Sequence, residues 1–244
     1  MNLSRFLSLT SANCRQITSS SYQLSQNSSL NRRLSTNLNV VRRFTEKVAR
    51  NCWKCEATGV ENSVMCGKCG ALTSPDTSRS YFSLLNVSES FDVNSSKLTE
   101  NFRQLQSVVH PDKFSNKSEM EQKHAMDWSS LLNKAYSTLS TPFKRAEYML
   151  SIKNVTIPER NETLDPEFLM EMMERNEEIA EFETRKEFDE YLEKLKTELD
   201  DLYKGFAKLL EQNETENALK ALIRIRYVNN LEKKIKEKLY ELKD

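Results

Sequence analysis

From Phe188 to Leu209 the apolar residues return at intervals of four and three: Phe188, Leu192, Leu195, Leu199, Leu202, Phe206 and Leu209. A strand would alternate every second residue. This spacing is that of a helix edge facing a partner helix, the a and d positions of a heptad. It constrains the fold strongly, because such a helix has to bury its stripe against neighbours. Two further stripes are at hand. Asp165-Pro166 is a helix start, with the carboxylate as N-cap and proline at the first helical position. Phe168, Met172 and Ile179 then share one face, and Leu222, Ile225, Val228, Leu231, Ile235 and Leu239 supply the third stripe. Three amphipathic helices with short connections close into an antiparallel bundle, expected over residues 162–242. Only 4 Gly and 5 Pro interrupt the 244 residues, which argues against a sheet-and-turn architecture. The expected class is all-α.

Upstream, Leu98, Phe102, Leu105 and Val109 lie at helical spacing, as do Ala125, Trp128, Leu132, Ala135 and Leu139. Between them stands His110-Pro111-Asp112. Pro111 fixes its own φ, removes a donor and biases His110 toward extended backbone. The tripeptide is therefore a stiff corner carrying an exposed acid, suited to a charge-assisted bond with an arginine of a partner. Arg103 and Lys113 flank it with positive charge, which would steer it toward an acidic groove. With the short apolar segment Tyr81–Val87, and a helix end at Thr141-Pro142, residues 80–151 read as a small helical hairpin domain with short flanking helices.

The net charge of zero hides an asymmetry. Residues 1–45 hold Arg5, Arg15, Arg32, Arg33, Arg42 and Arg43 with no Asp or Glu, and are rich in Ser and Asn. That is the composition of an organelle transit segment, and mitochondrial import is the expectation. The rest of the chain is net acidic, which speaks against nucleic-acid binding. No apolar run approaches the roughly 20 residues that span a bilayer.

Cys52, Cys55, Cys66 and Cys69 form two C-x2-C pairs, "CWKC" and "CGKC". Two residues between ligands let the chain turn tightly enough for both sulfurs to reach one ion, and two such turns complete a tetrahedral site. Gly67 and Gly70 sit where amides curl toward sulfur and positive φ is often needed. A structural zinc module over 48–74 is the first expectation. A redox dithiol, an iron–sulfur cluster and a disulfide pair are the alternatives. Catalysis by the chain itself has little to stand on: no phosphate loop, Ser-His-Asp order or dinucleotide fingerprint occurs.

The helix that begins at Pro166 has more apolar side chains than a core stripe requires. Leu169, Met170 and Met173 widen it beyond the arc of about 100° expected of a bundle helix. The surplus is either a partner surface, for which Met is well adapted, or a wedge against the preceding domain. Beside it, Glu177 and Glu181 stand at i and i+4, where like charges repel slightly.

"LQSVVHPDKF" followed by "LLNKAYSTLSTPFKRAEYML" resembles a J-domain, and with "FLMEMMERNEEI" and "RIRYVNNLEKKI" the chain resembles the HscB family of J-type co-chaperones over about residues 80–240. The resemblance implies an all-α protein: a J-domain hairpin, a C-terminal three-helix bundle and, as in animal members, an N-terminal zinc-type module. It implies docking on a mitochondrial DnaK-type ATPase chaperone through His110, Pro111 and Asp112. It also implies an IscU-type iron–sulfur scaffold held on Leu169, Met170, Met173 and Tyr227, with Glu174, Glu177 and Glu181 beside them. Asn176 stands where the family usually has Arg, and Tyr227 where Phe is common. A bundle that binds clients in general is the competing reading, and a thiol-redox protein the more remote one.

Overall fold

The computed structural model describes residues 51–60, 63–158 and 165–242. The acid-free segment 1–45 lies outside them. Among the described residues there are seven α-helices: α1 Tyr81–Leu84, α2 Ser95–Val109, α3 Glu119–Ser140, α4 Pro142–Ile152, α5 Pro166–Glu181, α6 Arg185–Glu211 and α7 Thr215–Glu241. A single 3-10 turn, Pro111–Phe114, joins α2 to α3.

The helices begin where side chains satisfy their first amides. Asn94, Ser118 and Asp165 cap α2, α3 and α5 in this way. Thr184 and Glu187 form a reciprocal capping box on α6, with the Thr184 amide donating to Glu187 at 2.8 Å. The Thr184 amide and hydroxyl hold that carboxyl below its ordinary range. Three helices end on asparagine. Asn86, Asn154 and Asn213 have φ of 51°, 59° and 58°, each just past the last helical turn. The amide just after each asparagine folds back, as in Val155 N–H to the Leu150 carbonyl at 3.0 Å. These are Schellman stops, in which asparagine takes the left-handed position more often filled by glycine.

Helices α2 and α3 pack as an antiparallel pair across the corner, with Phe102 stacked on Tyr136 at 4.3 Å and Gln106 Nε2 donating to Ser129 Oγ at 2.6 Å. On α3 every residue of the expected stripe, Ala125, Trp128, Leu132, Ala135 and Leu139, is buried. Helix α4 starts with Pro142 in its first turn, so Thr141-Pro142 is both the stop of one helix and the start of the next.

Helices α5, α6 and α7 form the expected bundle, with α6 and α7 the most extensive pair. Helix α5 is tied to α6 by Arg175, whose guanidinium meets Glu198 at 2.6 Å and Tyr191 Oη at 3.0 Å. Glu198 holds that guanidinium above its ordinary range. The α6 seam corrects the strict heptad. Buried residues are Phe188, Tyr191, Leu195, Leu199, Phe206 and Leu210, whereas Leu192, Leu202 and Leu209 are half-buried. A straight helix has 3.6 residues per turn, so along the length of α6 the buried face drifts away from a 3.5-residue repeat.

A firm joint links α4 to the bundle. Phe91 packs against Tyr203 and Phe206 of α6, both at 5.5 Å, and the Arg145 guanidinium lies over the Phe91 ring at 4.9 Å. Arg145 is buried and donates to the Leu139 carbonyl at 2.7 Å. Burial lowers its affinity for the proton, and the ring face compensates part of its lost hydration. Arg226 of α7 reaches Glu147 at 3.5 Å, and Lys153 reaches Asn213 at 2.9 Å. Phe206 is wholly buried at this joint. Phe206→Ala should therefore cost about 3–5 kcal/mol, read as a lower denaturation midpoint with an unchanged slope.

Candidate functional sites

Three sites stand on this frame. At the corner, α2 ends at Val109, His110 is extended (φ −55°, ψ 127°), and Pro111 opens the 3-10 turn. The turn is anchored from inside by Val109 and Phe114, both buried. Its outer side carries Asp112, whose side chain is 87% exposed. The Asp112 amide donates to His110 Nδ1 at 3.3 Å, and the carboxylate stands 3.5 Å from the same nitrogen. One nitrogen cannot do both: neutral, it accepts the amide proton; protonated, it donates to the carboxylate. With Nδ1 unprotonated, the ring accepts from the Asp112 amide, fixes the backbone and leaves the carboxylate to the outside. Phe102, Arg103, His110, Asp112 and Lys113 line one shallow hollow beside the corner. Thus the acid and the two flanking cations named from sequence share one surface.

On the bundle, α5 buries Phe168, Met172 and Ile179 and leaves Met170 and Met173 at 64% and 65% exposure. Leu169 is half-buried, and Glu174, Glu177 and Glu181 are exposed. The methionines are not wedged under the preceding domain. Tyr227, half-buried on α7, packs edge-on to Phe168 at 5.7 Å, while Arg224 lies over the same ring at 4.8 Å. Phe168 thereby ties Tyr227 to the helix that carries the other three apolar residues. Asn176 is engaged within the bundle: it donates to the Met172 carbonyl at 2.8 Å, and its Oδ1 accepts from Lys234 at 3.1 Å.

The four cysteines converge, with all sulfurs within 4.8 Å of one another. The two C-x2-C turns repeat the same hydrogen bonds. Glu56 N–H donates to the Cys52 carbonyl at 2.9 Å and Gly70 N–H to that of Cys66 at 2.8 Å; Cys52 and Cys66 N–H donate to Ala57 and Ala71, both at 2.8 Å. Positive φ falls at the residue after each second cysteine, Glu56 and Gly70, and at Gly59. Gly67 does not adopt it, which corrects the expectation from sequence. The thiols are free. Cys52 and Cys69 sulfurs stand 3.6 Å apart, Cys55 and Cys66 3.7 Å. Four sulfurs at about 2.3 Å from a tetrahedral metal stand about 3.8 Å apart, so the set fits such an ion and is too open for disulfides. The thiols are unequal. Amide protons of Cys69 and Lys68 pull Cys66 down to about 6, and the Lys54 amide lowers Cys52. Cys69 goes the other way: the Ala71 amide favours its thiolate, but burial and the three neighbouring sulfurs push it up to about 12. Four sulfurs this close do not all ionise without a cation among them.

Sequence reasoning missed what holds this module in place. His124 and Trp128, the latter placed by the sequence only in the core stripe, both bond to the chain that leaves Cys69. Their partners lie more than 50 residues away, and no local pattern signals such a contact.

Residues 80–148 match the DnaJ domain, and residues 164–236 match the HSCB C-terminal oligomerisation domain. The human iron-sulfur cluster co-chaperone protein HscB is 38% identical over 191 residues, covering 77% of this chain and 81% of the relative. Its mouse counterpart is 36% identical over 195 residues, covering 78% and 83%. The crystal structure of the human protein superposes with a TM-score of 0.74, over 78% of this chain and 98% of that one. Chaperone HscB from Vibrio cholerae, 28% identical, superposes at 0.62 over 67% of this chain and 99% of that one. These relatives are co-chaperones rather than enzymes. With a J-domain that keeps its His-Pro-Asp corner and an HscB-type bundle behind it, the chain belongs to the HscB family of co-chaperones.

Proposed function

We propose that this chain stimulates the ATPase of a mitochondrial DnaK-type chaperone through His110, Pro111 and Asp112, and delivers to it an IscU-type iron–sulfur scaffold protein. The observation that carries the reading is the placing of Asp112: a nearly fully exposed carboxylate on a turn fixed from within by Val109 and Phe114. A preorganised group loses little freedom on docking, so its interaction with a partner arginine is retained as affinity. Arg103 and Lys113 beside it steer the encounter with an acidic surface. The scaffold occupies Leu169, Met170, Met173 and Tyr227, with Glu174, Glu177 and Glu181 facing basic groups at its rim. Exposed methionines on a bundle helix are suited to such a contact. The matrix of the mitochondrion is the proposed location, on the Arg- and Ser-rich, acid-free composition of residues 1–45.

The test is a titration of the chaperone's single-turnover ATP hydrolysis with this chain, with and without scaffold. The expected result is stimulation by the chain alone and a further rise when scaffold is added. Broad binding to unfolded chains, with no preference for the scaffold, would instead make the bundle a general client binder.

The four cysteines are proposed to hold zinc as a structural ion, with Cys52, Cys55, Cys66 and Cys69 as ligands. Zinc has no redox role and suits four thiolates in tetrahedral array. Metal analysis of the purified chain is expected to give a single zinc ion, lost in Cys66→Ser. Visible charge-transfer colour would identify an iron site in its place.

A further inference from the structure

The chain has two tryptophans, and both serve one seam. Past Cys69 the backbone runs Gly70, Ala71, Leu72, Thr73. The Leu72 carbonyl accepts from Trp53 Nε1 at 2.8 Å and lies 3.1 Å from His124 Nδ1 on α3. A carbonyl only accepts, so His124 is held with its proton on Nδ1. The next carbonyl, that of Thr73, accepts from Trp128 Nε1 at 2.7 Å, again from α3. Trp53 stands edge-on to His124 at 5.8 Å. The Leu72 side chain is fully buried, and it belongs to the core of the helical domain. The module's own apolar cluster is small: Val60 and Ala71 beside Cys52 and Cys66.

We propose that metal occupancy of the four cysteines is coupled to the packing of α3, with Leu72 and Thr73 as the latch between them. The inference rests on the reading of those cysteines as a metal centre. A cluster of that size cannot by itself hold the turn that presents Leu72 and Thr73. When the ion leaves, the bond from Cys66 N–H to the Ala71 carbonyl opens and the two following carbonyls leave α3. His124 and Trp128 then lose the acceptors for buried donors, so their face of α3 takes up water. Linkage makes the effect reciprocal: weakening the seam weakens the hold on the metal by the same factor.

The experiment uses the full chain loaded with zinc. In Trp53→Phe the remaining emission comes from Trp128. Zinc removal by a chelator is expected to shift that emission to the red. In the unmodified chain, removal should speed amide exchange in the first half of α3 about tenfold or more, the lower part of the usual coupling range. In a competition with a chromophoric chelator, His124→Ala should bind zinc about fivefold or more weakly although no cysteine is changed. His124→Gln, which keeps a donor, should recover most of the loss. The coupling is overturned if zinc leaves in full while Trp128 emission and α3 exchange stay fixed, or if folded H124A holds zinc as tightly as the parent. Should H124A not fold, the chelation arm on the unmodified chain decides alone. A chain that takes up no zinc overturns the metal reading, and the coupling with it.

Discussion

Asp112→Asn is expected to leave the helices standing and to remove the stimulated ATP turnover. The carboxylate is exposed, and the one basic side chain within ion-pair distance of it among the described residues is His110 on the same turn, at 3.5 Å. Pairs of that kind contribute about 0–1 kcal/mol, so the melting transition should hardly move. Docking is different. On the proposed docking the carboxylate would meet a cation inside an interface, and removing one partner of such a pair costs roughly 2–5 kcal/mol, much of it from the charge left unpaired on the other side. That corresponds to a fall in chaperone engagement by a factor of about thirty or more, enough to bring single-turnover hydrolysis back to the unstimulated rate. Lys113→Ala, a rim change, should instead slow association and reduce its dependence on salt. Unchanged stimulation by D112N would remove the corner from the function altogether.

Met170→Ala combined with Met173→Ala should separate cargo from stimulation. Both side chains are about two-thirds exposed, so truncating them leaves no cavity and should alter stability by no more than about 0.5 kcal/mol. Full burial of a methionine is worth about 1.5–3 kcal/mol. Since a third of each is already covered, the double change should cost roughly 2–4 kcal/mol of scaffold binding, about 30- to 1,000-fold. Calorimetry with the isolated scaffold reads that loss, and the ATPase titration without scaffold should be unaffected. If scaffold affinity survives while the protein stays folded, the patch on α5 is not the cargo surface.

Much of this arrangement was legible before any coordinates. The His-Pro-Asp stop, the Asp165-Pro166 start and the buried stripe of α3 follow from side-chain chemistry within a few residues of one another. The buried stripe of Phe168, Met172 and Ile179 on α5 follows in the same way, whereas the pattern left Met170 and Met173 open between an outer surface and a wedge, and only the packing shows them exposed. What stayed hidden depends on distance or on small angular sums. The α6 face passes from Leu192 to Tyr191 and from Leu209 to Leu210 because a straight helix does not keep a heptad. The asparagine stops at Asn86, Asn154 and Asn213 do the work that a glycine count would have missed. Arg145, within "FKRAEYML", looks like a surface charge, and its burial is made tolerable by the Leu139 carbonyl together with the Phe91 ring brought from 54 positions away. The docking of the cysteine module on α3 likewise needs residues more than 50 positions apart.

The joint made by Phe91, Arg145, Tyr203 and Phe206 has a consequence for how cargo is handed over. Two modules on a slack tether sample many separations, and their mutual concentration is an average over all of them. Here aromatic and ionic contacts fasten α4 to α6 and α7, so the chain acts as a strut of set length. On the proposed function, a protein clasped at α5 would be carried at one bearing from the Asp112 turn, and the receiving chaperone would meet it at one angle. Loosening the strut, without touching either end, would leave both handshakes intact and spoil their timing.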